Sequence, residues 1–236
     1  MDGHAAYFMN WNGEVCSYDI SGKKWSKLPR CPYKHSSLAI INGQLMSVGG
    51  CKDLFGKDTH TNKLLCLPGY KEIFPAMPTK RRGTTVVTSK ERLIVAGGAI
   101  RRSDADKVNT VEVMDTISLV WSTVASLPHP YLRALATICG DQLYMLGGWD
   151  DKDSTKSVLT CSLTELLQSS PSSPSIWHRV ADAPAYNSTC AAVNRELLAV
   201  GACDKGKYME SPSSAIYKYN LTTNSWDLIS NMPTAR

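Results

Sequence analysis

No apolar run in this sequence approaches the roughly eighteen residues that a membrane-spanning helix needs, so no membrane span is expected. The opening residues, MDGHAAYF, lack the basic and apolar segments of a secretory signal. Eight cysteines are present without a single C-x-x-C, which argues against a zinc site. No G-x-S-x-G, H-E-x-x-H or P-loop sequence occurs, and no G-x-G-x-x-G opens a helix. The five histidines (His4, His35, His60, His129, His178) are scattered, with none paired at a ligand spacing. The net charge of +5 is modest, and no stripe of interleaved aromatic and basic residues suits nucleic acid. Long amphipathic helices are missing too; Ser162 to Gln168, SLTELLQ, is a single-turn candidate at best. Catalytic, nucleic-acid and membrane roles all lose ground on these absences.

What is present is a repeat with a period of about fifty residues. Four times an apolar strand runs into a pair of small residues: LMSVGG ending at Gly49-Gly50, LIVAGG at Gly97-Gly98, LYMLGG at Gly147-Gly148, and LLAVGA at Gly201-Ala202. Interleaved with these, an aromatic residue precedes a proline by four to eight residues. The pairs are Trp25 and Pro29, Tyr70 and Pro78, Trp121 and Pro128, Trp177 and Pro184, and Trp226 and Pro233. Arrays of this kind bury their faces only against neighbouring units.

Local chemistry supports strands and tight turns. Ser36 to Gly50 is two apolar runs split by Asn42-Gly43, a strong hairpin signal. Gly140-Asp141 and Asn194-Arg195 occupy the corresponding turns, while the one between Ser89 and Arg92 reads as one residue longer and lacks glycine. The first and second strands of each unit are apolar on both faces, as expected where sheets stack. EVCSYD, VEVMD and AIYKYN alternate more and should lie further out.

The glycine pairs and aromatic-to-proline segments together resemble the kelch repeat, over nearly the whole chain. The resemblance implies an all-β fold, a kelch-type β-propeller of four-stranded antiparallel blades, with Gly49, Gly50, Gly97, Gly98, Gly147, Gly148 and Gly201 closing second strands. Trp25, Trp121, Trp177 and Trp226 would open fourth strands. One kelch region is expected over 1–236. It divides into a partial blade at 1–29, blades at 30–78, 79–128, 129–184 and 185–233, and the start of a further repeat at 234–236. Residues 5–29 carry only three strands. Two arrangements stay open: part of a six-bladed ring, which is preferred, or a five-bladed ring with one blade lacking its innermost strand.

Cysteines lie mainly within strands, where they serve as small apolar residues, so a reducing, cytoplasmic setting is expected. The sequons at Asn187 and Asn220 do not outweigh that. QSSPSSPS, from Gln168 to Ser175, reads as a mobile loop inserted in the fourth unit. The basic doublets Arg81-Arg82 and Arg101-Arg102 read most simply as solvated loops, and Asp150, Asp151 and Asp153 as solvent-facing turn residues.

Loops on a rigid scaffold are where recognition usually sits. Loops that precede first strands read PYKH, KRRG, PYLR and AYNS. In kelch propellers these and the loops after the glycine pairs share one face. By resemblance to substrate-receptor kelch domains, a partner-binding rim would comprise Tyr33, His35, Arg82, Arg101, Arg102, Tyr131, Arg133, Tyr186 and Asn187. His35, Arg82, Arg133 and Asn187 would be the equivalent gripping positions. The expected role is a non-catalytic interaction module for a protein or peptide, acidic in character, with no cofactor and no metal. It would suit the substrate receptor of a cullin-type ubiquitin ligase in a longer chain with other domains. The alternatives are a galactose-oxidase-like or sugar-directed propeller enzyme, and an actin-binding kelch protein.

Overall fold

A computed structural model describes residues 5–53, 59–101, 106–150, 154–186, 189–201 and 212–235. The chain falls into two compact units, residues 1–123 and 124–236. The first begins with a three-stranded sheet of β1 (Ala5–Met9), β2 (Val15–Asp19) and β3 (Lys24–Leu28). Next comes a sheet of β4 (Ser37–Ile41), β5 (Gln44–Val48), β6 (Leu64–Cys66) and β7 (Lys71–Glu72). β8 (Thr85–Ser89), β9 (Arg92–Ala96), β10 (Val111–Asp115) and β11 (Trp121–Val124) form another.

The second unit holds β12 (Leu135–Cys139), β13 (Gln142–Leu146), β14 (Val158–Ser162) and β15 (His178–Val180) in one sheet. Its other sheet is β16 (Thr189–Val193), β17 (Glu196–Val200), β18 (Ala215–Asn220) and β19 (Ser225–Asn231). Neighbours in sequence are neighbours in each sheet, and they pair antiparallel. The all-β expectation of four-stranded antiparallel blades holds.

Tight turns set the registers. Asn42-Gly43 has φ of +49° and +74°, and Asn194-Arg195 has +50° and +63°, so both central residues of each two-residue turn are left-handed. Ser89 pairs directly with Arg92, so that turn is also two residues long, not longer as its sequence suggests. Lys90 replaces the glycine at φ +45°.

Burial corrects a second expectation. β5, β9 and β13 are buried almost throughout, as two-sided strands should be. Yet β10 is buried from Val111 to Met114, as β14 is from Val158 to Cys161, and Glu112 is accommodated there by an internal ion pair.

Glycine is required where the next repeat docks. In the first unit, the Gly50 amide donates to the Arg81 carbonyl at 2.9 Å. A Cβ on Gly49 would meet that carbonyl oxygen at 2.6 Å, and one on Gly50 would meet Ser36 Oγ at 2.3 Å. Both glycines sit at positive φ, +63° and +107°.

Three of the recurring aromatics donate to backbone carbonyls of the preceding sheet. Trp121 Nε1 bonds the Pro75 carbonyl at 3.1 Å, and Trp226 Nε1 bonds the Ala181 carbonyl at 3.2 Å. Tyr70, standing where a Trp is usual, puts its hydroxyl on the Pro29 carbonyl. Cores follow the same stacking. Met46, Val48 and Leu64 of one sheet pack with Leu93, Val95 and Met114 of the next. In the second unit Tyr144, Leu146 and Val158 pack with Leu197, Ala199 and Tyr219.

The single-turn helix exists as α1 (Leu163–Gln168), with Ser162 Oγ accepting from the Glu165 amide at 3.3 Å. The Ser/Pro run after it is tied down rather than loose. Ser169 Oγ accepts from the Ala125 amide, and Ser170 and Ser173 bond each other through a turn.

Candidate partner-binding face

In three sheets the ladder continues past the glycine pair into the loops. Lys34 and Cys51 exchange both backbone hydrogen bonds, at 2.8 and 2.9 Å. Arg82 and Ala99 do so at 3.0 Å each, and Leu132 and Trp149 at 2.9 and 2.8 Å. A third segment joins each bridge, so that Cys51 also pairs with His60, Ala99 with Lys107, and Trp149 with Ser154. Within each of these three sheets the loop before the first strand and the loop after the glycines are therefore one backbone-locked surface.

The register corrects the equivalence read from sequence. Lys34, Arg82 and Leu132 are the matching bridge residues, so Arg82 stands one position before His35 and Arg133. The true counterpart of His35 and Arg133 is Gly83. All three are left-handed, at φ +52°, +58° and +56°. In the first unit this position also carries a backbone relay. The Gly83 amide donates to the His35 carbonyl at 2.8 Å, and the His35 amide donates to the Trp11 carbonyl at 3.0 Å. A hydrophobicity pattern does not show this offset; pairing each loop residue against the residue after the glycine pair does.

Accessibility divides the nine rim residues. Arg101 and Arg133 are exposed, while Tyr33 and Tyr186 are half-buried, with Lys156 Nζ 5.3 Å from the Tyr186 ring centre. His35, Arg82 and Tyr131 are buried, with Arg82 only 2% exposed. Arg102 and Asn187 lie outside the described residues, as do Asp151, Asp153 and Cys203.

Neither member of the Arg81-Arg82 doublet is solvated. Arg81 is fully buried and pairs with Glu112 at 2.7 Å. Its guanidinium also donates to the Gly97 carbonyl at 2.9 Å, the Thr110 carbonyl at 3.2 Å and Thr110 Oγ1 at 3.1 Å. Thr79 Oγ1 donates to the same Glu112 oxygen. Burial pulls the Arg81 pKa down, and the adjacent carboxylate opposes that pull. The register places Arg81 where the next repeat has Tyr131, whose hydroxyl meets Ser157 Oγ at 3.2 Å. Sequence alone gave no warning that a cation would fill a tyrosine's place.

All seven described cysteines are free thiols. Burial holds the Cys161 thiol up at about 12, so it is inert at neutral pH. Cys51 is fully buried within its bridge. Among the described residues no three His, Cys, Asp or Glu side chains gather into a metal cluster, and no helix is long and apolar enough to cross a membrane.

The sheets and their glycine-locked loops define the chain as a set of kelch-type β-propeller blades. The KLHDC2/KLHL20/DRC7 Kelch-repeats domain model matches residues 37–236, and the chain belongs to this Kelch-repeat family. It is similar to Kelch repeat protein M-T8 of Myxoma virus (strain Lausanne), 29% identical over 59% of this chain and 27% of that protein. It is also similar to Kelch-like protein 35 of Mus musculus, 29% identical over 61% of this chain and 24% of the relative. Kelch-like protein 25 of Xenopus tropicalis is 27% identical over 93% of this chain and 37% of its own length. The chain thus spans between about a quarter and two fifths of these relatives.

Proposed function

We propose that this chain is a non-catalytic recognition module that binds a protein or peptide partner through its bridged loop face. The observation that carries this reading is the backbone bridge repeated in three sheets. Within each of these sheets it locks the two loops together, leaving Arg101 exposed in the first unit and Arg133 exposed in the second. Rigid loops lose little entropy on binding, and arginine's planar fork suits carboxylates. An acidic, extended segment is therefore the favoured ligand. Arg82 has no part in direct contact, since its side chain is buried.

Similarity to Kelch-like and BTB-containing Kelch proteins supports a finer role as the substrate-receiving propeller of a cullin-type ubiquitin ligase. Free thiols throughout the described residues support a reducing, cytoplasmic setting.

The test is selection from a display library of extended peptides against the purified chain, followed by titration of the winners. Acidic sequences should be enriched, and Arg101→Ala or Arg133→Ala should each weaken binding by about 1.5–3 kcal/mol, as for hydrogen bonds to charged groups. Indifference of both variants would remove this face from the reading. Cosedimentation with actin filaments, and stoichiometric copper in the purified protein, would respectively favour the cytoskeletal and oxidase alternatives.

A further inference from the structure

The turn between a sheet's first two strands meets the following sheet differently in the two units. In the first, Asn42 Nδ2 donates to the Thr116 carbonyl at 3.4 Å, and Thr116 Oγ1 donates to Asn42 Oδ1 at 3.5 Å. Thr116 is buried at this closure. Strand registers give the equivalent residues in the second unit. Ile41 pairs with Gln44 as Cys139 pairs with Gln142, so Gly140 stands where Asn42 does. Ala96 pairs with Val111 as Val200 pairs with Ile216, so Leu221 stands where Thr116 does. Neither side chain can make the lock. A Cβ placed on Gly140 would meet nothing within 4 Å, and Leu221 is 68% exposed.

A cleft of about 300 Å³ occupies this place in the second unit. Tyr144 and Tyr219 line it edge to face, with ring centres 6.2 Å apart, and Leu197 and Cys139 lie beside them. Burial raises both tyrosine pKa values, so the rings are neutral phenols. Arg195, Glu196 and Lys218 complete the lining. Glu196 is taken up by an ion pair with Lys218, and the Asp141 carboxylate by Ser162 and Thr164. Arg195 is exposed and has no ion pair among the described residues. Its charge still reaches the cleft wall: burial pushes the Cys139 thiol up, and the Arg195 guanidinium opposes that push. In the first unit the same turn position is Glu91, of opposite charge.

We propose that this cleft is a binding site for a small aryl carboxylate, its ring laid against Tyr144 and Tyr219 and its carboxylate held by Arg195. Aromatic and aliphatic walls suit an apolar ring, which gains from stacked or edge-on contact. One unspent arginine at the mouth, with both neighbouring carboxylates already engaged, matches a single negative charge. The volume is at the lower end for ligand pockets and limits the guest to one ring. In the sheet β12–β15 the cleft lies at the Gly140-Asp141 turn, whereas the Leu132–Trp149 bridge is at the opposite end of the same strands. The site is therefore separate from the recognition role, and either can fail without the other.

An NMR titration of the whole chain with phenylacetate tests it, run beside neutral phenylacetamide. Phenylacetate should bind saturably with a Kd of about 1 mM, the range open to a single-ring ligand. Its first effects should fall on the backbone N–H signals of Gly140, Leu197 and Leu221. Phenylacetamide on the unmodified chain, and phenylacetate on an Arg195→Gln variant, should each bind about tenfold more weakly. Gly140→Asn combined with Leu221→Thr rebuilds the closure of the first unit and should abolish binding. Asn tolerates the φ of +66° at that position, and thermal melts confirm that both variants fold. Absence of saturable binding overturns the proposal. So does equal binding of acid and amide, undiminished binding by Arg195→Gln, affinity retained by the doubly substituted chain, or shifts centred on the bridged loops.

Discussion

The loops entering β8 and β12 occupy the same place in two successive repeats and are held by different chemistry. In the first, a fully buried Arg81 clasps Glu112, Thr110 and the Gly97 carbonyl. In the second, Tyr131 does the corresponding work with one hydroxyl contact to Ser157. The repeat dictates where an anchor is needed, since an unanchored loop would leave the glycine ladder open. It does not dictate the anchor's polarity. A buried cation demands a buried anion, and Glu112 on the buried strand β10 supplies it, where β14 in the next repeat is buried without one.

Substitutions separate the two anchors. The largest effect is expected at Glu112→Ala, which strands the Arg81 charge and should cost about 3–5 kcal/mol. Ser157→Ala removes one neutral hydrogen bond and should cost about 1 kcal/mol. Urea midpoints of the two variants measure the gap, and equal shifts would mean that the two anchors are interchangeable.

A smaller effect tests the aromatic stacking. Trp121→Phe forfeits the bond to the Pro75 carbonyl, worth about 1 kcal/mol, whereas Trp25→Phe at an exposed site should stay within about 0.5 kcal/mol. A Trp25 loss as large as that of Trp121 would show that exposed and stacked positions are energetically alike.

The smallest change concerns pH. Asp141 accepts hydrogen bonds from Ser162 Oγ and Thr164 Oγ1, at 2.7 and 3.0 Å, and these hold its carboxyl below the usual range. A depressed folded-state pKa adds stability above the unfolded value of about 3.9, and that gain disappears as pH falls through the folded value. The stability difference between the unmodified chain and Asp141→Asn should therefore narrow from about pH 6 to pH 3. A constant difference would mean that the carboxylate charge is irrelevant at that turn.

Much of the architecture was legible beforehand because turns and glycine pairs report local backbone needs. Asn42-Gly43 and Asn194-Arg195 are both left-handed in their two-residue hairpin turns. Gly49-Gly50 must admit a carbonyl that a Cβ would exclude. The rim was read less well. In the loop string KRRG, Arg82 stands level with His35 and Arg133, while hydrogen-bond register shifts it one position from both. Such a shift is invisible without the partner strand.

By itself the sequence determined the repeat, the strand and turn positions, and the places where aromatics and glycines were needed, because each depends on a few neighbouring residues. Only the tertiary structure decided which charges are buried, which rim residues are reachable, and that Trp25 is bare while Trp121 is covered. Those outcomes depend on what stacks against a side chain from elsewhere in the fold, and identical local patterns meet different neighbours.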